Sequence, residues 1–353
     1  MDVACTRSYF NIVMEKLLTK RKLVVRIGIA LILLVVVMLA CSLMGTEKVS
    51  LKSVIASVAD GQVNPDYEIF VRVRLPRIIL AVIVGAALAC SGVVFQGLLR
   101  NPLADPYILG ISSGAGLGVI IAMLLGLAMP ILGLSPVTVF AFAGAIGTVT
   151  LVWFIGRLTG RRHVAGLLLA GVVVNAFFSA LIMFLTSVGR SDQVFATIFW
   201  LMGNMREESM LVLWTSGGVV TAGIVGLFFL APKLNAISFG ERDAKTMGVK
   251  TGQVQLAAFS IAALITAVAV SLSGLIGFVG LIIPHAVRLV FGPDHRQLIP
   301  LSAIYAGTFM VAADTLARII VAPAQLPVGV VTALIGGPFF LFLLVKYSRK
   351  VGW

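Results

Sequence analysis

From Pro106 to Gly156 the chain runs for 51 residues without an Asp, Glu, Lys or Arg. A bilayer hydrocarbon core about 30 Å thick takes roughly 20 residues of helix, so this run is too long for one buried element. It reads as two membrane-crossing helices joined by the turn at Pro130 to Pro136. Hydrophobic residues make up 59% and charged residues 12% of the chain, against roughly 25% charged in a soluble domain. A soluble fold cannot clothe itself with so few charges. Further uncharged windows run over 27–46, 78–99, 164–189, 209–232, 251–284, 297–313 and 319–345. The 251 window reaches on past His285 to Val287 and is interrupted at Ser271 to Gly274, so two shorter helices fit there. The expectation is an all-α polytopic membrane protein of about ten spans. Its least certain stretch is Leu264 to Phe291, where a helix end and a re-entrant segment read alike.

The net charge of +13 would raise nucleic acid as a partner in a soluble chain. Its placement gives a different answer. With ten alternating spans and both termini cytoplasmic, 19 of the 27 Lys and Arg residues fall inside, among them Lys20, Arg21, Lys22, Arg26, Arg100, Lys233, Arg242, Lys245, Arg288 and Arg296. The remaining 8 (Lys48, Lys52, Arg72, Arg74, Arg77, Arg190, Arg206 and Arg318) fall outside. This is the sense of the positive-inside rule, and no nucleic-acid partner is expected. Residues 1–23 read as a cytoplasmic tail, 24–350 as the membrane domain and 351–353 as a short C-terminal tail. The first apolar run has no small-residue cleavage site followed by a soluble domain, so it reads as a retained helix. Cys41 and Cys90 lie in apolar runs and read as small buried hydrophobes, and with Cys5 they suit neither a disulfide framework nor a metal site.

No GxxxxGK[ST] loop occurs, so any ATP belongs to another polypeptide. His163, His285 and His295 are scattered, without carboxylates at ligand spacing. Neither a resident cofactor nor a metal is expected in this chain. Acids are nearly missing from the spans, Asp314 being the main exception. Ion-coupled carriers usually need ionisable groups or broken-helix cation sites near mid-membrane, so a secondary transporter is the alternative reading rather than the first. A membrane scaffold is a third, though ten spans exceed what anchoring needs. The glycines at 85, 92 and 97, at 110, 114, 116 and 118, and at 274, 277 and 280 predict close helix approach, with a hinge or translocation surface as the other use.

Several segments are more particular. Arg74-Leu75-Pro76-Arg77 is read as opening the second span, and SGVVFQGLLRNPLADP, from Ser91 to Pro106, closes it. LGISSGAG follows from Leu109, then GFVGLIIPHAVR from Gly277, GPDHR from Gly292 and LPVGVVTAL from Leu326. In this order they closely resemble the FecCD family of permeases, over about Ile69 to Lys346. The resemblance implies a ten-span subunit of the type II ABC importer fold with inverted repeats, in a prokaryotic cytoplasmic membrane. Ser91-Gly92 and Phe95-x-Gly97 against Ser273-Gly274 and Phe278-x-Gly280 are only a faint echo of such a repeat. It further implies a homodimer or a paired paralogue, two separate ATPase subunits using MgATP, and a substrate-binding protein outside. The implied cargo is a ferric siderophore, haem or cobalamin, with the iron chelate favoured as the family's broadest use.

Carried onto this chain, the family pattern places an ATPase coupling segment at 237–249, with Gly240, Glu241, Arg242, Ala244, Lys245, Met247 and Gly248 as its residues. Ala244 and Met247, three apart, would share the face turned to the ATPase, Met247 replacing the commoner leucine, while Glu241 and Lys245 pair on the rim. A plain solvated loop is the other reading. Arg74, Arg77 and Arg318 match basic residues that dock the binding protein, a task suited to the bidentate guanidinium. Their second reading is anchoring of the helices at headgroups, and Arg318 could already pair with Asp314 one turn earlier. The pathway would pass Asn175, Ser179, Ser187 and Thr332, whose other reading is hydrogen bonding to their own helix backbone. In the loop Asn101 to Pro106, two prolines and two side-chain caps predict a structural turn.

Overall fold

A computed structural model of the chain describes residues 19–45, 49–60, 64–127, 129–131, 133–158, 164–206 and 208–351. The tails expected over 1–23 and 351–353 therefore lie outside it, apart from 19–23 and 351. Cys5 and His163 also lie outside the described residues. In chain order the helices are α1 (Lys20–Leu43), α2 (Leu51–Asp60), α3 (Pro65–Leu99), α4 (Ile111–Leu124), α5 (Pro136–Leu158), α6 (Val164–Val188), α7 (Ser191–Leu201), α8 (Met210–Phe239), α9 (Glu241–Thr246), α10 (Thr251–Ser273), α11 (Val279–Phe291), α12 (His295–Ile319) and α13 (Val328–Val351). Among the described residues, seven helices (α1, α3, α5, α6, α8, α10 and α12) are long and apolar enough to cross a membrane, and α4, α11 and α13 are shorter apolar helices. Together these make the ten expected. The turn expected between Pro130 and Pro136 separates α4 from α5, and the break expected at Ser271–Gly274 ends α10.

Position in the bundle follows side-chain size. The apolar windows of α3 and α10 are 83% and 72% buried, whereas that of α1 is 11% buried. α1 exposes Ile32, Val35, Val36 and Leu39. It is apolar all round and suits lipid. α3 instead reads AVIVGAALACSGVV and lies at the centre. Lipid is as apolar as leucine, so packing rather than dehydration holds such helices together, and small residues permit it. A Cβ on Gly92 would collide with the carbonyl of Gly280, and one on Gly85 would lie 2.5 Å from the carbonyl of Ala306. Gly114 and Gly144 bring α4 and α5 together in the same way. The expectation of close approach holds at these positions, whereas Gly277 has no atom within 4 Å of where its Cβ would stand. Phe95, Phe259 and Trp153 join α3, α10 and α5, with ring centroids 5.9 and 5.5 Å apart.

The second span differs from expectation. Asn64 caps the chain by accepting from Tyr67 N–H at 2.8 Å, and helix runs unbroken from Pro65. Residues Ile69–Arg74 form a π turn in which the N–H of Leu75 reaches the carbonyl of Phe70. That wider turn absorbs Pro76, which has no N–H, inside the helix. Arg74 to Arg77 therefore does not open the span. Between α10 and α11 the backbone is not helical, and at membrane depth such backbone must find internal partners. Tyr107 Oη donates to the carbonyl of Ile276 and accepts from its N–H, both at 3.0 Å. Phe278, at φ 69°, then turns the chain into α11.

Candidate functional site

At one end of the bundle α8 runs to Phe239, and a single residue, Gly240, separates it from α9. Glu241 and Asp243 stand in the first turn of α9 and Lys245 in its last, matching the helix dipole. Glu241 and Lys245 form the rim pair expected, at 2.9 Å. The helix ends in a complete Schellman motif: Gly248 N–H donates to Lys245 O at 3.0 Å and Val249 N–H to Ala244 O at 3.0 Å, with Gly248 at φ 81°. Phe239 and Met247 project outward, 86% and 71% exposed. The face expected to hold both Ala244 and Met247 is corrected here, because Ala244 is fully buried. Three residues at 100° each place the two 60° apart, and the C-terminal turn at Met247 swings its side chain away. Arg242 is exposed beside them. The segment is thus a rigid, capped knob with an apolar tip and a charged rim.

Beside it lies a polar junction that the sequence reading did not assemble. Asn235, one turn before the end of α8, donates to Asp294 Oδ1 at 2.7 Å and accepts from the backbone N–H of His295 at 2.8 Å. Arg100 Nη2 donates to Ile237 O at 3.0 Å. Arg26 of α1 bonds Gln297 and sits over the ring of Phe291, 5.3 Å from its centroid. Asn235 stands with Lys233 and Ser238 in the last turns of α8, so in sequence it reads as one more polar residue of a helix end. Which partner it found needed the fold. In the adjoining loop Asn101 and Asp105 act as expected, accepting from Leu103 N–H at 2.9 Å and Tyr107 N–H at 2.8 Å. Burial pushes the Asp105 carboxyl up to about 6.

The opposite end carries Arg74, Arg77 and Arg318, which are 4%, 7% and 9% exposed. Docking on their free guanidinium groups is corrected by this burial. Arg77 Nε donates to Asp314 Oδ1 at 2.8 Å, and Arg318 Nε to Asp314 Oδ2 at 3.1 Å. Arg77 also reaches Gln325 at 3.2 Å, Arg318 reaches Thr315 at 3.1 Å, and Arg74 caps the end of α1 through Ser42 O at 2.8 Å. The pairing of Arg318 with Asp314 was expected as an alternative to its docking. The other pairing, between α3 and α12, joins residues 237 apart in sequence and could not be read locally. Arg72, 75% exposed and paired with Glu68, is an outward basic group on the same helix.

Of the residues expected along a pathway, Asn175 and Ser179 are half-buried on one face of α6 and Ser187 is exposed, its hydroxyl on Phe184 O at 2.7 Å. Around them α6 exposes Leu169, Val172, Val173, Phe177 and Phe184. Thr332 is corrected: it is fully buried and donates to Gly329 O at 3.0 Å, so it lines no cavity of this chain.

Comparison with known proteins agrees with this architecture. The chain is 38% identical to the hemin transport system permease protein of Yersinia pestis over 326 residues, 92% of this chain and 96% of that one. It is 45% identical to the cobalamin import system permease protein of Halobacterium salinarum over 272 residues, 77% and 72% of the two chains. A solved metal-chelate type ABC transporter in an inward-facing conformation superposes with a TM-score of 0.78 at 32% identity, covering 91% of this chain and 98% of that one. Residues 32–346 match the family model of the FecCD transport family. The chain, an all-helical polytopic permease, belongs to the FecCD transport family.

Proposed function

We propose that this chain is the membrane permease of an ATP-driven importer for a ferric siderophore or a related metallated macrocycle such as haem or cobalamin. Two copies would form the pathway, two cytoplasmic ATPase subunits would bind α9, and a binding protein would deliver cargo at the Arg77 end, which places both termini in the cytoplasm. The observation that carries this reading is the α9 knob. Its tip, Phe239 and Met247, is apolar and more than two-thirds exposed, and its backbone is fixed by a completed C-cap. An exposed apolar tip on a rigid stub fits a cleft of a partner. The exposed apolar face of α6 supports a second copy as neighbour, and Arg72 with the exposed Arg190 and Arg206 offers basic groups for the binding protein.

Asp314, the main acid within the spans, is held by two arginines, which speaks against a carrier in which it binds the coupling ion. Permease, ATPase and binding protein reconstituted in liposomes should take up cargo only while ATP is hydrolysed. Uptake that persists without ATP and collapses with an ionophore would establish the ion-coupled alternative instead.

A further inference from the structure

Three helices meet around His295 at the α9 end of the bundle, and we propose that this junction passes the displacement of α9 into the α3/α12 pair, with Asn235, Asp294 and His295 as its positioning residues. The inference rests on the coupling role of α9 proposed above. Its first support is the absence of slack: only Gly240 separates α9 from α8, and Asn235 lies in the penultimate turn of α8.

The hydrogen-bond roles at the junction are fixed by chemistry. A carboxylate only accepts, so the Asn235 group 2.7 Å from Asp294 Oδ1 is its NH₂. Its oxygen therefore faces His295, accepting the backbone N–H at 2.8 Å and the ring Nδ1–H at 2.7 Å. The ring's Nε2 is left as a bare acceptor, buried and without a hydrogen-bond partner among the described residues. It lies against α3, where a Cβ on Gly97 would come within 2.7 Å of it. The imidazole is thus a spacer wedged between α8 and α3, mounted on the first residue of α12. Interiors packed this closely transmit strain rather than absorb it.

Arg100 forms a second link between the same helices. It closes α3 with φ 48°, a conformation usually left to glycine, while its guanidinium holds the carbonyl of Ile237. From this junction α3 and α12 run as an antiparallel pair. They touch at Gly85 and Ala306, at Val82 and Gly307, and finally at Arg77 and Asp314. Gly97 and Arg77 are 20 residues apart on α3, about 30 Å of helix. A push on α9 would therefore be felt at the far face of the membrane through one rigid pair.

The test uses the complete importer in liposomes, with a ferric hydroxamate siderophore, haemin and cobalamin tried in turn and the one taken up by the wild type used throughout. Asn235→Asp sets a second carboxylate against Asp294. It should leave ATPase attachment and ATP hydrolysis in place while lowering cargo moved per ATP by about tenfold, inside the ~5–150-fold range of coupling between linked sites. Asn235→Asp with Asp294→Ser exchanges donor and acceptor across the contact, the hydroxyl donating to the new carboxylate while still accepting the capping Arg296 N–H, and should restore coupling. An unchanged ratio in the single variant, or no recovery in the exchanged pair, overturns the proposal. So does a single variant that fails to assemble while the pair assembles and couples normally, since the contact then serves assembly alone. A wild type whose uptake ignores ATP overturns the proposed function itself.

Discussion

Asp314→Asn removes the one negative charge that two buried arginines share while keeping the side chain's size. Asp314 is 1% exposed, and its two oxygens receive Arg77 and Arg318 at 2.8 and 3.1 Å. A pair of unit charges near 4 Å attracts by about 4 kcal/mol at an effective dielectric of 20, and loss of one partner from a buried pair costs about 3–5 kcal/mol because the other charge remains. Here two guanidinium groups remain, and one of them, Arg77, already has a buried Nη2 without a hydrogen-bond partner among the described residues. The amide can still accept one hydrogen bond, so the lower figure applies, about 3 kcal/mol, on the order of 100-fold in the folding equilibrium. Thermal unfolding of the detergent-solubilised permease, followed by size-exclusion chromatography, should show a midpoint lowered by several degrees. Arg77→Met, Asp314→Leu and Arg318→Met together leave no charge from this triad buried and should be close to neutral. A single variant that melts with the wild type, or a triple variant less stable than the single, would refute the reasoning.

Gly92→Ala forces α3 and α11 apart at the Gly280 carbonyl; a loss of about 1–3 kcal/mol should appear in the same melting assay, and an unchanged midpoint would place the contact elsewhere. Met247→Asp alters a side chain that is 71% exposed in this chain, so folding should be unaffected while ATPase co-purification falls, a desolvated charge being costly in an apolar cleft; full co-purification would remove Met247 from that interface. Burial raises the Asp105 carboxyl to about 6 from 3.8. The folded chain therefore holds this proton more tightly than the unfolded chain, and stability attributable to Asp105 grows as pH falls from 7 through 6 toward 4. Asp105→Asn should flatten that part of the melting-point profile between pH 5 and 7, and parallel profiles for the two proteins would exclude it.

Much of the architecture was legible locally. A helix crossing lipid must be apolar over its whole length, so the number of spans and the breaks near 130 and 274 follow from where charges, prolines and the small polar run Ser271 to Gly274 stand. The Asn101 to Pro106 turn, the Glu241–Lys245 pair and the Arg318–Asp314 pair are also local, because each joins residues no more than one helical turn apart. The family pattern places the expected coupling segment at 237–249, and a discrete helix, α9, stands within it.

What the tertiary structure alone decided were the partners of polar groups. Arg74 and Arg77 look like surface arginines in sequence, since nothing within a turn can neutralise them, yet α12 brings Asp314 to Arg77 and α1 brings Ser42 to Arg74. Pro76 looks like a helix start because a proline lacks the N–H a helix interior needs, and only the π turn before it shows how the helix continues through. Asn235, His295 and Gly97 lie on three helices and carry no common motif. The apolar pattern of a membrane chain records which residues meet lipid or core, because that depends on each residue alone. It does not record which buried donor finds which acceptor, because that depends on how the helices are brought together.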